Sequence, residues 1–301
     1  MDSSEAEYNK INKLTYRAYL IYIHHEKIRY LEDNMYEDYW KLKEKPFENT
    51  PDPRFLYYSH EHLEAATRLT YAVEERKGAA LLTGEYGCGK TVISRLLFQL
   101  LPQDKYEIGL VTNPLMSPVE LLREICSQLD IKISSDSAKP ELLTKLNERF
   151  YENLNKNKET VIIVDEAQAI KDLETFEEFR LLLNFQLNDR FLMTLILIGQ
   201  PELRSIIDRL KQLKQRLAIS YHLNPLSKED TKNYISHRLK VAGTEAKIFS
   251  DKAYSLVWVH SDGVPRLINT ICDMSLLLGF TQRLKEINED IVKKVAYDLE
   301  T

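Results

Sequence analysis

Two short stretches carry residues whose types and spacing can do chemistry: GEYGCGKT, Gly84 to Thr91, and VIIVDEAQ, Val161 to Gln168. Three glycines among eight residues leave a backbone that something approaches closely, either a phosphate chain or merely a neighbouring turn. The apolar GAALLT before the loop and the helix-like VISRLLFQLL after it give the pattern G-x-x-x-x-G-K-[ST] the strand and helix that phosphate binding requires. In that setting Gly84, Gly87 and Gly89 let the amides of Glu85, Tyr86, Cys88 and their neighbours turn inward around phosphate oxygens. The positive end of the following helix adds to them. Lys90 reaches the β and γ phosphates, and Thr91 offers its hydroxyl to Mg²⁺. The ligand so implied is ATP with Mg²⁺. Cys88 suits the loop by its small size, with a redox role as the alternative.

In the second stretch Asp165 follows a wholly apolar strand, so its carboxylate emerges at the strand's C-terminal end, where such sheets bind ligands. It suits Mg²⁺ through water. The adjoining Glu166 is placed to polarise an attacking water for in-line displacement at the γ phosphate, which favours hydrolysis over mere holding. Asn113 ends the strand EIGLVTN and is a candidate to restrain Glu166. Gln200 ends LMTLILIGQ and is a candidate to orient water or touch the γ phosphate; for both, an ordinary turn residue is the competing reading. Arg216 and Arg266 are cations near expected domain junctions, where an arginine can stabilise transition-state charge or simply face solvent.

These groups need elements to hold them. AALLT, EIGLVT, TVIIVD and LMTLILIG alternate with helical patterns, and runs such as VIIV and LILI lack any polar alternation, so four strands covered by helices on both faces are predicted. Beyond about residue 220 four helical patterns follow, several with Ser or Asn before them and Gly near the end. HEHLEAATRLTYAVEERKG reads as a helix ending on Gly78, and KPFENTPDPRF, with three prolines, as a turn-rich connection. Residues 1–34 read as an appended helical segment. The domains expected are therefore a helical extension at 1–34, a nucleotide-binding αβα unit at 35–220 and an all-helical lid at 221–301.

Composition narrows the class further. With 44% hydrophobic and 29% charged residues the chain reads as folded and globular. A net charge of −5 gives no whole-molecule attraction to nucleic acid or anionic lipid, leaving only a local patch such as RLKQLKQR, Arg209 to Arg216. Cys88, Cys126 and Cys272 show no metal or disulfide spacing. The apolar AYLIYI, Ala18 to Ile23, is far too short to span a bilayer, and a cytoplasmic location, or one peripheral to the inner membrane, is expected.

On YWKLKEKPFENTPDPRFLYYSHEH, GEYGCGKT, VIIVDEAQ, LIGQPELR, QRLAISYHLNPLSKEDTKNYISHRLKVAG and DGVPRLINTICDMSLLLGF, the sequence resembles the AAA+ ATPases of the ExeA, or general secretion pathway protein A, type. The resemblance implies a P-loop α/β fold with a parallel αβα sheet and a C-terminal helical lid. It further implies a homo-oligomer, ring or filament, that hydrolyses ATP to drive assembly or remodelling of a cell-envelope secretion or export system, with an envelope assembly protein as partner. Gln200 matches sensor 1, Arg216 the arginine finger that reaches a neighbouring subunit, Arg266 sensor 2, and Asn113 the glutamate-switch position. Longer relatives continue into a transmembrane helix and a peptidoglycan-binding module, whereas this sequence ends at Thr301, so a stand-alone motor or switch is expected. The alternative is a DNA-bound regulator similar to the TniB and TnsC transposition ATPases.

Overall fold

The computed structural model describes residues 36–50 and 52–300, so the expected helix at 1–34 lies outside the described residues. The chain folds into two compact units, one of residues 50–234 with 258–268, the other, among the described residues, of 36–49 with 235–257 and 269–300.

The first unit is built on five parallel strands: β1 (Ala79–Gly84), β2 (Tyr106–Val111), β3 (Glu159–Val164), β4 (Met193–Gly199) and β5 (Leu217–Leu223). Their order is β2-β3-β4-β1-β5. The first four are the strands predicted. The fifth was not, and its burial explains why: Leu217–Leu223 alternates exposed and half-buried residues along the sheet edge and so lacks the continuous apolar run that marks its neighbours.

The uninterrupted runs of β3 and β4 are explained by two separate cores. Ile162, Val164, Leu195 and Leu197 point into one, with α4 (Pro118–Gln128), α5 (Lys139–Asn155), α6 (Leu173–Leu182) and α7 (Pro201–Arg209) supplying Leu122, Phe150, Phe176 and Leu203. Their alternating partners Val161, Ile163, Ile196 and Ile198 point into the other, against Leu69 of α2 (His60–Glu74) and Ile93 and Leu97 of α3 (Lys90–Leu100). Successive side chains on a strand face opposite ways, so a strand covered twice must be apolar throughout. Ser117 caps α4 in a reciprocal capping box with Glu120. The end of α2 differs from expectation. The helix stops at Glu74, and the left-handed residue that closes it is Arg76 (φ 50°), while Gly78 (φ 84°) instead opens β1, where a Cβ would meet Phe191 at 2.8 Å.

Register sets the position of the site. Val111 pairs with Val164, Val164 with Leu197, Thr83 with Gly199 and Gly84 with Leu223, so all five strands end at one edge of the sheet. Residues that follow these ends are brought together there, however far apart they stand in the sequence.

The second unit joins helices from the C-terminal third to an N-terminal segment, so the units cut across the expected boundaries at 35–220 and 221–301. Packing explains this. Trp40, at the end of α1 (Glu37–Trp40), is 6% exposed and donates from Nε1 to the Leu276 carbonyl at 3.0 Å. Gly279 makes room for it, since a Cβ there would lie 2.9 Å from the indole. Arg238, within α9 (Lys228–Val241), which follows the short α8 (Lys211–Lys214), donates to the carbonyls of Pro46 and Glu48 at 2.5 and 2.9 Å. The Lys43 amide donates to the Ala242 carbonyl at 2.8 Å, and Phe47 meets Phe249 edge-on. The N-terminal segment is thus part of the helical unit's core.

Trp40→Ala removes the largest ring of that core and leaves a cavity beside Gly279. A destabilisation of about 3–5 kcal/mol is expected. Urea unfolding followed by circular dichroism measures it, and an unchanged midpoint would show that the segment adds nothing to the unit.

Candidate functional site

The loop between β1 and α3 takes its shape from two left-handed glycines, Gly87 (φ 84°) and Gly89 (φ 97°). Gly89 is the N-cap of α3 and gives it no side-chain cap, so the first amides of the helix remain available to an anion. Neither glycine has room for a side chain. A Cβ at Gly87 would stand 2.8 Å from Cβ of Arg266, and one at Gly89 would stand 2.6 Å from Nε2 of His62.

Lys90 sits inside this turn, 4% exposed, and its Nζ donates to the carbonyls of Gly84 and Glu85 at 2.8 and 3.0 Å. Burial pushes its pKa down; the Glu166 charge opposes that most, followed by Cys88, Asp165 and Glu85. The ammonium can exchange these carbonyls for phosphate oxygens at little further desolvation cost. Cys88 is buried, and burial lifts its thiol to about 11, so it packs as a small neutral side chain.

At the end of β3, Asp165 is also 4% exposed. It accepts from the Glu166 amide at 2.9 Å and, weakly, from the Thr91 hydroxyl at 3.4 Å. Burial raises its pKa, as does the Glu166 charge, while these two bonds and Lys90 act the other way. Thr91 and Asp165 therefore face each other with two hard oxygens, a donor set that fits Mg²⁺. Among the described residues no cluster of three or more His, Cys, Asp or Glu side chains is arranged around a metal.

Glu166 adopts a left-handed conformation, φ 52°, which is uncommon for a residue with a side chain and turns the chain sharply out of β3. Its carboxylate accepts from Nε2 of Gln168 at 2.5 Å. Asn113, expected to restrain Glu166, is exposed and forms no hydrogen bond with it among the described residues; the neighbour that holds the carboxylate is Gln168. Gln200 stands at the end of β4 as N-cap of α7, and its amide donates to Oε1 of Gln168 at 3.0 Å.

The two arginines part company. Arg266 lies over the Tyr86 ring at 4.4 Å and donates to its hydroxyl, which places a cation beside the phosphate loop. Arg216 precedes β5 at its N-terminal end. Because β5 runs parallel to β1 from Ala79↔Leu217 to Gly84↔Leu223, Arg216 is roughly a strand length, about 20 Å, from this chain's own loop. It donates instead to Gln186 and Asn184 at 3.3 and 3.2 Å.

One further residue belongs to the loop and was not singled out from sequence. His62 on α2 is buried between Ser59 and the loop, with Nδ1 2.6 Å from the Ser59 hydroxyl and Nε2 3.2 Å from the Cys88 carbonyl. A carbonyl only accepts, so Nε2 carries the proton and Nδ1 accepts from the serine. Its sequence signal, a His on an amphipathic helix, does not distinguish a core residue from a loop anchor.

The AAA domain family matches residues 73–207. General secretion pathway protein A of Aeromonas hydrophila is 38% identical over 267 residues, an alignment that takes in 88% of this chain and 48% of that protein. The chain thus spans about half the length of that relative. Among solved structures, Drosophila ORC bound to DNA is similar with a TM-score of 0.65 at 17% identity, over 90% of this chain and 68% of that one. The Aeropyrum pernix ORC2 protein in ADPNP-ADP complexes is similar with a TM-score of 0.61 at 15% identity, over 85% and 71%. At such identities the structural likeness speaks for the fold: a P-loop αβα sheet with a helical C-terminal region.

Two linkage effects follow from this geometry. Burial lowers the His62 pKa below 6.5, against the Cys88 carbonyl, Asp230 and Glu61, so the unfolded chain binds a proton that the folded chain refuses. Stability is complete above that value and declines as pH falls through it; His62→Gln, which keeps a donor for Cys88, should flatten that decline in melts recorded from about pH 8 to about pH 5. For Asp165 the raised pKa means that the ionised carboxylate is disfavoured by folding, so Asp165→Asn is expected to melt at or above the wild-type temperature at neutral pH. A lower melting temperature would show that its bonds outweigh its burial.

Proposed function

This chain belongs to the AAA+ ATPases of the general secretion pathway protein A type, and from that premise we propose that it binds ATP at Gly84 to Thr91 and hydrolyses it with Glu166. The observation that carries the reading is the meeting, at one sheet edge, of the buried Lys90 ammonium, the uncapped start of α3 and the paired Thr91 and Asp165 oxygens. A triphosphate supplies the negative charge that these donors lack. Held by Thr91 and Asp165, Mg²⁺ would neutralise charge on the transferring phosphoryl group.

The residues divide the work by position. Backbone amides of Gly84 to Gly89 fix the phosphates, and Lys90 attracts the terminal ones. Glu166 accepts a proton from, or orients, the attacking water. Gln200, one strand away, contacts the same phosphoryl region, and Arg266 brings positive charge from the stacked position over Tyr86. Arg216 is too far from its own loop to act there, and two neutral amide oxygens hold it. Its guanidinium keeps its full charge for an anion on a second copy of the chain, which is the reason to assign it as a trans-acting finger in a homo-oligomer.

The relative's name ties it to a general secretion pathway; for this chain the work we assign to turnover is assembly or remodelling of a cell-envelope secretion or export system, with an envelope protein as partner. Among the described residues no helix is long and apolar enough to cross a membrane. The DNA-bound alternative finds little support in the basic run Arg209–Arg216. Lys214 pairs there with Asp208 at 2.7 Å.

Calorimetry with Mg·ATP should register binding to the wild type and none to Lys90→Ala. Glu166→Gln should bind normally and lose turnover by about a hundredfold or more. Arg216→Ala should bind normally and lose turnover by up to about a thousandfold. Equal rates for Glu166→Gln and wild type would remove the assigned base, and full turnover by Arg216→Ala would remove the trans-acting role.

A further inference from the structure

We propose that Gln168 is the positioning residue of the hydrolytic carboxylate: its side-chain amide aims Glu166 at the phosphate loop and ties it to the backbone at the end of β4. The inference rests on the reading of Glu166 as the residue that activates water, and it adds a residue that neither the phosphate loop nor the Asp-Glu pair reveals.

Three observations converge on the amide. Its Nε2 donates to Oε2 of Glu166 at 2.5 Å, a short, charge-assisted bond. Its Oε1 accepts from the Gln200 amide at 3.0 Å. Partner chemistry fixes the orientation, because a carboxylate only accepts and a backbone N–H only donates, and one amide group satisfies both only in this sense. The third observation is space. A Cβ at Gly199 would lie 2.5 Å from Oε1 of Gln168, so the glycine at the end of β4 leaves the volume into which the amide fits.

The geometry favours aiming over sequestration. While bonded to Gln168, Glu166 stands directly beside Asp165, whose carboxylate meets the Thr91 hydroxyl at 3.4 Å, so the amide holds the hydrolytic carboxylate at the loop's edge. Glu166 also sits in a left-handed turn and makes no side-chain cap hydrogen bond to the 3₁₀ turn that follows it. A carboxylate left to rotate would meet its water in fewer encounters, and misplacement by about 1 Å is enough to cost a large rate factor. The link to the Gln200 amide has a second consequence: a shift of β4's end on engaging the terminal phosphate would be passed through Gln168 to Glu166.

The test combines kinetics with a signal from the nucleotide-free chain. Gln168→Ala should lower kcat by about tenfold while the KM for Mg·ATP stays within about twofold, because Lys90 and the loop are untouched. Gln168→Glu fits the same space and can accept from the Gln200 amide, yet cannot donate to an ionised Glu166, so it should be as impaired as the alanine variant. Gly199→Ala should reproduce the defect by displacing the amide. In a Glu166→Gln background, adding Gln168→Ala should change kcat by less than about twofold, since a residue that acts through Glu166 has nothing left to aim.

Separately, one Gln168 side-chain amide proton should appear far downfield in the NMR spectrum of the nucleotide-free wild type and return to the ordinary position in Glu166→Ala. A wild-type kcat in Gln168→Ala, full activity in Gln168→Glu, multiplicative losses in the double variant, or an unshifted amide proton would each overturn the proposal. The parent reading fails differently: the wild type would show no hydrolysis, or Glu166→Gln would match it, whatever Gln168 does.

Discussion

Burying the Lys90 ammonium at 4% exposure is costly, and the chain offsets that cost with the carbonyls of Gly84 and Glu85 and with the charges of Glu166 and Asp165. Those carbonyls face inward only if the loop turns through left-handed positions, which is why Gly87 and Gly89 stand where they do. The glycines in turn let three neighbours close in: Arg266 and Val264 on Gly87, His62 on Gly89. A side chain at either position would push against a contact as well as strain the backbone. The loop is thus fixed from three directions by groups distant in sequence. Its readiness for an anion is a property of the folded unit more than of eight residues.

The acidic side of the site carries its own strain. Asp165 is buried with a raised pKa, and Glu166 takes a left-handed conformation without being glycine. Two carboxylates in adjacent positions near one ammonium repel each other, as the rise in the Asp165 pKa from the Glu166 charge reflects. A divalent cation and a triphosphate would rebalance these charges together, since the cation relieves the carboxylates while the phosphates answer Lys90 and the α3 amides. Stability given up in holding these charges together is therefore available to ligand binding.

Legibility in the sequence followed the range of the interactions. The glycine turn at Gly84 to Gly89 and strands such as VIIV and LILI were readable because local backbone demands and double-sided burial write themselves into a few consecutive residues. The edge strand β5 was missed because one exposed side gives it the alternation of a surface segment. Other misses were long-range. That Trp40 and Pro46 belong with Leu276 and Arg238 depends on hydrogen bonds across 236 and 192 positions, which no window contains. Asn113 was the reasonable candidate to hold Glu166, being polar and at a strand end. The structure shows Gln168 instead, only two residues from Glu166, because a short 3₁₀ turn at Ala167–Ala169 folds it back toward the carboxylate. His62 gave no signal beyond its type, since its hydrogen bond with Cys88 spans 26 residues.

The two arginines show how the same residue type is committed by its surroundings. Arg266 stacks on Tyr86 and packs against Gly87, so its position follows the loop, and any ligand that reshapes the loop must move with it or displace it. Arg216 lies at the opposite end of the strands, held by Gln186 and Asn184 and over the Phe191 ring at 5.8 Å. Among the described residues no carboxylate pairs with it. Amide oxygens orient a guanidinium without cancelling its charge, whereas a carboxylate would do both. An arginine intended only to stabilise its own unit gains more from an acidic partner; one kept beside amides retains its field for an anion that approaches from outside. Within a single chain that anion cannot be one held at the β1–α3 loop, because the parallel register of β1 and β5 holds loop and guanidinium at opposite strand ends. The strand register that gathers Thr91, Asp165 and Glu166 at the C-terminal edge is therefore also what keeps this cation away from them.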